Sequence, residues 1–310
     1  LSVYNHFQWY YFDLHSVDGF DLICTMHVVP FNSAFNISIV DIYLYRGEKT
    51  ELHHYFVLPQ RHIKFQDDPF LLQMDAHNFI SKKDNNIYLQ ARDTKTDLRI
   101  ELQNNASDSE PPVVSLLPPD YPEDGFYWKV FAPSCNGKAW LLYDGRRFEL
   151  QGPAYHDFNG GRLNLKQELK YWYWGKYSFD DRLFIYGEIT TRKKETKRVA
   201  LLSAEGHVQL DENPLRTVKD GNVYYSTHMG DFGFKMGERR QIDAISFFMS
   251  TLSSAFITKL IEIVYQLSAK LPFLSKLHQY MGNARYLRFR ANGETLDGVP
   301  VKTFFEEMFL

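Results

Sequence analysis

YWYWGKY, residues 171–177, alternates its rings with a period of two. Side chains two apart on a strand share a face. As a strand, the stretch therefore sets Trp172 and Trp174 side by side as an indole wall and turns Tyr171, Tyr173 and Gly175 the other way. Just upstream, GPAYHDFNGG at 152–161 brings Tyr155, His156, Asp157 and Asn159 within five residues. A protonatable cluster beside an indole wall suits a greasy, unsaturated ligand better than a sugar phosphate or a nucleotide.

The same period extends outward in both directions. FQWYYFDLHS at 7–16, DLICTMHVVPF at 21–31, FNISIVDIYLYRG at 35–47 and ELHHYFVLP at 51–59 read as strands with turns between them. NIYLQAR at 86–92, DLRIELQ at 97–103, FYWKVFAP at 126–133, AWLLYDG at 139–145 and RLFIYGEITT at 182–191 continue the pattern. Many short alternating runs of this kind predict a sandwich or barrel. The segment 104–124 interrupts them with five prolines, which oppose ladder bonding, and reads as a long loop, either a lid or an inert excursion.

Composition agrees with this reading. Of 310 residues, 44% are hydrophobic, enough for a sizeable core, and 16% are aromatic, which favours pleated sheet. A net charge of −3 and the absence of a basic stripe argue against nucleic acid as a partner. The RKKETKR run at 192–198 reads as a solvated hairpin turn. Two cysteines, Cys24 and Cys135, form neither a disulfide framework nor a metal-ligand spacing and fit a reducing, cytoplasmic setting. His53, His54 and His62 lack the spacing of a metal site with a third ligand, so no metal is expected. Neither a phosphate-binding glycine loop nor a Gly-x-Ser-x-Gly nucleophile elbow is found.

One long helix is expected late, over about 241–271. Ile245, Phe248, Leu252, Phe256, Leu260, Ile263, Leu267 and Leu271 recur at steps of three or four, and Pro272 should end the run. Such a helix packs on a barrel or plugs its mouth, forms a dimer interface, or lies at a membrane surface and gives the protein a peripheral membrane contact.

The two motifs resemble the carotenoid 1,2-hydratase (hydroxyneurosporene synthase) and AttH-like superfamily. That family carries Tyr-x-Asp-His-Asn-x-Gly followed by Trp-x-Trp-Gly. The corresponding residues are Tyr155, His156, Asp157, Phe158, Asn159, Gly160 and Gly161, then Trp172, Tyr173, Trp174 and Gly175. FQWYYFD also resembles the family's early Trp-Trp-Tyr-Phe-Asp strand. The resemblance implies two lipocalin-like β-barrels and a hydrophobic cavity at or near their contact. It also implies an activity from a group that includes hydratases and proteins guiding pericyclic cyclisation. Phe158 replaces the motif histidine of the hydratases, and Gly160 replaces an aromatic residue. The proton-donating Tyr-x-Asp pair corresponds to Tyr186-Gly187-Glu188 only with a small gap and a Glu for Asp. His156 compensates for the lost histidine only if the backbone turns it inward.

Hydration of an unactivated alkene begins with protonation, so it needs an acid that keeps its proton and a wall that holds a cation. A carboxyl in an aromatic pocket favours its protonated form, and indole or phenol faces attract the cation by about 1–2 kcal/mol each when desolvated. Glu188 or Asp157 is the candidate acid, with Tyr186 and His156 beside it; Tyr155, Asn159, Trp172 and Trp174 are the candidate substrate contacts. Each has a structural alternative. Asp157 and Asn159 could cap a turn, the tryptophans could pack a core, Glu188 could face solvent, and His156 could be a buried structural residue. The sequence thus predicts an all-β protein of two lipocalin-like barrels, 1–195 and 196–310, with the helix against the second. It binds an isoprenoid or polyene and catalyses proton-initiated hydration or cyclisation without a cofactor. A pericyclase that only folds a polyene and a non-catalytic carrier remain open alternatives.

Overall fold

The computed structural model describes residues 7–32, 35–47, 49–60, 63–66, 70–104, 112–122, 124–163, 165–246 and 285–309. Two compact units emerge. The first joins residues 1–115 to 124–162, and the second joins 116–123 to 163–310.

The first unit contains β1 (Phe7–His15), β2 (Phe20–Asn32), β3 (Phe35–Arg46), β4 (Lys49–Gln60), β5 (Lys64–Gln66) and β6 (Leu71–Gln73). It continues through β7 (Phe79–Lys83), β8 (Asn86–Arg92), β9 (Thr96–Asn104), β10 (Val113–Ser115), β11 (Tyr127–Tyr143) and β12 (Arg146–Gly161). These make one sheet in the order β4-β3-β2-β1-β12-β11-β9-β8-β7-β6-β5, with β10 pairing β11. The second unit opens with a single helical turn, α1 (Leu165–Glu168), followed by β13 (Leu169–Phe179), β14 (Arg182–Thr191), β15 (Thr196–Ala204), β16 (His207–Asp211) and β17 (Leu215–Lys219). It ends with β18 (Asn222–Thr227), β19 (Gly230–Met236), β20 (Arg240–Ser246), β21 (Arg285–Thr295) and β22 (Pro300–Phe309). Its sheet runs β16-β15-β14-β13-β22-β21-β19-β18-β17, with β20 pairing β21.

The turns explain the register. Asp144-Gly145, Glu205-Gly206 and Asp220-Gly221 all have positive φ at both residues. They close the two-residue hairpins β11–β12, β15–β16 and β17–β18. This is the mirror-image turn whose twist matches paired strands, and it favours Asp or Asn before Gly. A two-residue loop leaves no slack, so alternation on one strand fixes which face of its partner is buried. In the first unit the apolar face is carried by Tyr10, Phe12, Leu14, Cys24, Met26, Val40, Ile42, Leu98, Ile100, Leu141 and Phe158. In the second it is carried by Tyr173, Tyr177, Phe184, Tyr186, Val223, Tyr225, Phe234 and Phe305.

Four expectations are corrected. The long late helix is overturned where the chain is described: residues 240–246 are strand β20, paired antiparallel with β21 from Arg240↔Arg290 to Ser246↔Arg285. Among the described residues the one helix is the four-residue α1; residues 247–271 of the expected helix lie outside them. An apolar-rich run fits both periods over a short window, and here the β21 edge takes its first residues into the sheet. Second, the units divide at Arg162 and Leu163 rather than near residue 195. Residues 192–195 are the β14–β15 turn inside one sheet, closed by Thr191 N–H to Glu195 O at 2.9 Å. Third, Val113–Ser115 pairs β11 despite its proline-rich surroundings. Fourth, 126–133 and 139–145 belong to one strand, β11, whose register shifts at Val130/Ala132 and Ala132/Cys135 accommodate Pro133.

Candidate functional site

GPAYHDFNGG is not a turn but the end of β12, locked between β1 and β11. The glycines permit this closeness: a Cβ on Gly161 would meet the Gly125 carbonyl, and one on Gly160 would meet the Phe158 ring. As strand residues, Tyr155, Asp157 and Asn159 share one face, and His156 and Phe158 share the other. The cluster read from the sequence is therefore split across the sheet.

On the first face, Asp157 is only 3% exposed and is the focus of three donors. Its Oδ2 accepts from Trp128 Nε1 at 2.8 Å and from the Tyr155 hydroxyl at 2.7 Å, and its Oδ1 faces Asn159 Nδ2 at 3.3 Å. Burial and the adjacent Asp157 charge push the Tyr155 phenol well above its ordinary range, so it keeps its proton and donates it. Opposite Asp157 in register stands Tyr11, and opposite Tyr155 stands Asp13. The Tyr11 hydroxyl donates to Asp13 Oδ2 at 3.1 Å, and the Tyr11 and Tyr155 rings meet edge to face at 6.1 Å. Two buried carboxyls, each bonded by the tyrosine two residues before it, thus sit on neighbouring strands. Asp13 continues outward to His15, whose Nε2 is 3.6 Å from it and whose Nδ1 is 2.6 Å from Asp21.

Asn159 completes the arrangement. Its Oδ1 is buried without a hydrogen-bond partner while its Nδ2 faces Asp157. A half-turn of the amide exchanges the two atoms, so Asn159 can donate to an ionised Asp157 or accept from a protonated one.

His156 lies in the apolar core instead. It is sandwiched between Phe12 at 3.8 Å and Phe131 at 5.2 Å, both stacked, and its Nδ1 bonds the Tyr11 carbonyl at 2.8 Å. Desolvation drives its pKa down to about 3. It is neutral near pH 7, joins β12 to β1 through the Tyr11 carbonyl, and lies on the opposite face of the strand from Asp157.

The second unit splits its candidates in the same way. Trp172 and Trp174 share a face, as the alternation predicted, and both are buried. Tyr186 pairs with Gly175 and Glu188 with Tyr173, so both lie on the opposite face from the tryptophans. Glu188 Oε2 accepts from the Tyr186 hydroxyl at 2.6 Å and from Arg198 Nε at 3.0 Å. Desolvation and the Glu188 bond raise the Tyr186 phenol. Desolvation opposes the Arg198 charge, yet its Glu188 partner raises it overall.

His53 bonds Asp41 at 2.9 Å and His54 bonds Asp93 at 3.0 Å, each a separate pair. Among the described residues no three His, Cys, Asp or Glu side chains gather as a metal group. Likewise, no helix among them is long and apolar enough to cross a membrane. Trp128, Tyr11 and Asp13 were not read as site residues. The available signal was chemical, since a buried indole N–H must find an acceptor, but only the β11–β12 register shows that the acceptor is Asp157.

The sequence model of the family Carotenoid hydratase CrtC matches residues 109–254. No curated protein matches the chain by sequence. Among solved structures, CghA with Sch210972 aligns with TM-score 0.65 at 8% identity, covering 98% of this chain and 88% of that one. An AttH protein of Nitrosomonas europaea aligns at 0.54 and 12%, covering 98% and 92%. Kievitone hydratase of Nectria haematococca aligns at 0.52 and 9%, covering 98% and 88%. At these identities the structures establish a shared fold alone. The resemblance read from the tyrosine–aspartate and tryptophan motifs is thereby borne out: this chain is similar to the carotenoid hydratase CrtC family over residues 109–254 and has the fold of AttH-like proteins and kievitone hydratase.

Proposed function

We propose that the protein binds a hydrophobic isoprenoid or polyene and catalyses its hydration or cyclisation, started by a proton and needing no organic cofactor. The observation that carries this reading is the buried Asp157 carboxyl with its three donors on one aromatic face. The similarity to the carotenoid hydratase family supports the same chemistry.

Asp157 serves as the acid. Its Oδ2 is filled by Trp128 and Tyr155, so a proton taken up by the carboxyl sits on Oδ1, where the Asn159 amide oxygen can accept its hydrogen bond. Transfer of that proton to an alkene carbon breaks the π bond and leaves a carbocation and a carboxylate. The three donors then stabilise the new charge, each charge-assisted bond contributing about 1.5–3 kcal/mol. The faces of Tyr11, Tyr155 and Trp128 hold the cation. Water that adds to it loses a proton back to Asp157, giving a tertiary alcohol; a second alkene of the same molecule that adds instead gives a ring, and loss of a neighbouring C–H proton restores the carboxyl. Glu188 is assigned no such role, because Arg198 holds it in an ion pair on a face turned away from Trp172 and Trp174. The indole pair serves as a hydrophobic substrate wall in the second unit.

The test is a pair of amides. Asp157→Asn should abolish turnover of an acyclic carotenoid or polyene while ligand binding, read by tryptophan fluorescence, persists. Glu188→Gln should keep at least a tenth of the activity. Full activity in Asp157→Asn would remove the acid assignment. If turnover also persisted without any proton donor, a cavity that only folds its substrate would be the better account.

A further inference from the structure

The apolar face of the second sheet contains a polar chain that the reaction above does not use. Tyr173, Tyr177 and Tyr225 join hydroxyl to hydroxyl, Tyr173 to Tyr177 at 3.0 Å and Tyr177 to Tyr225 at 2.6 Å. Arg216 stands opposite Tyr225 in register, bonds its hydroxyl, and places its guanidinium 4.7 Å over the Tyr173 ring. Gly175 makes room: a Cβ there would lie 2.9 Å from the Tyr173 hydroxyl.

Bond direction follows from chemistry. A guanidinium only donates, so Tyr225 accepts from Arg216 and passes its own proton to Tyr177. Tyr177 then donates to Tyr173, whose proton is left at the open end of the chain. Arg216 Nε is also buried with no hydrogen-bond partner. Two donors, one of them cationic, therefore converge near the Tyr173 ring with no acceptor between them.

The carboxylates beside this face, Glu188 and Glu307 opposite Tyr173 in register and Asp211 opposite Ala200, are each already held by another partner. Glu188 is taken by Arg198 at 3.0 Å, Glu307 by Arg239 at 2.8 Å, and Asp211 by the backbone N–H groups of Asn213 and His228 and by the His228 ring. A desolvated cation without a counter-charge costs stability. Around it the side chains are aromatic and mostly buried, with Phe234 stacked on Tyr177 at 4.5 Å and Phe184 on Phe232 at 4.6 Å. The missing partner is thus an anion carried on a planar apolar body.

We propose that this face of the second unit is an oxyanion-binding site, in which Arg216 and Tyr173 receive the carboxylate or ionised enol of an aromatic or conjugated organic acid. Its residues belong to the second unit and Asp157 to the first, and the proposal does not depend on the reaction assigned to Asp157.

trans-Cinnamate and cinnamyl alcohol, which share a skeleton and differ in charge, are the probes for isothermal titration against the full chain. Wild type should bind cinnamate roughly tenfold or more tighter than the alcohol, the expected scale of a charge-assisted contact. Arg216→Met should bring cinnamate down to the level of the alcohol, and Arg216→Lys should restore part of the difference. Tyr173→Phe should weaken cinnamate several-fold and leave the alcohol unchanged. Asp157→Asn should bind cinnamate as wild type does, which separates this site from the proposed acid. Equal binding of the two probes, no binding of cinnamate at millimolar concentration, or full cinnamate affinity in Arg216→Met would each overturn the proposal. If Arg216→Met fails to fold by circular dichroism, the Arg216→Lys and Tyr173→Phe results decide the matter.

Discussion

His156 makes the first unit sensitive to acid by an amount that the structure fixes. Folded, its pKa is about 3, because the Phe12 and Phe131 rings have replaced water around the imidazole. Unfolded, it titrates near 6.5. Between those values the unfolded chain binds a proton that the folded chain refuses, so stability is complete above pH 6.5 and falls as pH drops towards 3. At pH 4.5 the loss is about 3 kcal/mol, from about 1.4 kcal/mol per pH unit over two units. His156→Phe removes the titrating group and the bond to the Tyr11 carbonyl, costing about 1 kcal/mol at every pH. Urea unfolding of both proteins from pH 7.5 to 4.5 checks this. Wild type should be the more stable at pH 7.5, and the order should reverse by pH 4.5. A wild-type advantage that stays constant across the range would mean that the imidazole is not held neutral, and the structural assignment of His156 would fail with it.

Two further outcomes follow from the geometry. Trp128→Phe keeps the ring but removes the indole N–H from Asp157 Oδ2; it should destabilise the protein by about 1.5–3 kcal/mol in thermal or urea unfolding and lower turnover with little change in substrate affinity. Cys24 is buried, and desolvation pushes its thiol up. Cys135 is also buried and donates to the Ala154 carbonyl at 3.2 Å. Neither should react with a thiol reagent at pH 8 until urea unfolds the chain, and fast labelling of the native protein would contradict the packing.

What was legible in the sequence depended on how far a local rule could decide. YWYWGKY reads correctly because alternation of large rings has one structural meaning, a strand buried on both faces. GPAYHDFNGG misleads because Asp, Asn and Gly are also turn residues, and only neighbours on both sides make it a strand. That difference puts His156 in the apolar core, on the opposite face from Asp157. Ile245 begins a run with helical spacing, yet pairing to Tyr286 claims it for the sheet. The expected division near 195 falls in the charged hairpin turn at 192–198, whereas the division at Arg162 carries little compositional mark. Long-range register was beyond reach: nothing local shows that Glu188 faces away from Trp174, or that Trp128 meets Asp157 across a bulged strand.

The most direct test of the central claim is incubation of the protein with acyclic carotenoids and polyenes in heavy water, read by mass spectrometry. The account predicts a hydrated or cyclised product with deuterium bound to carbon, absent when Asp157→Asn replaces wild type. A rearranged product without deuterium, or substrate bound and recovered unchanged, would contradict a proton-started reaction at Asp157.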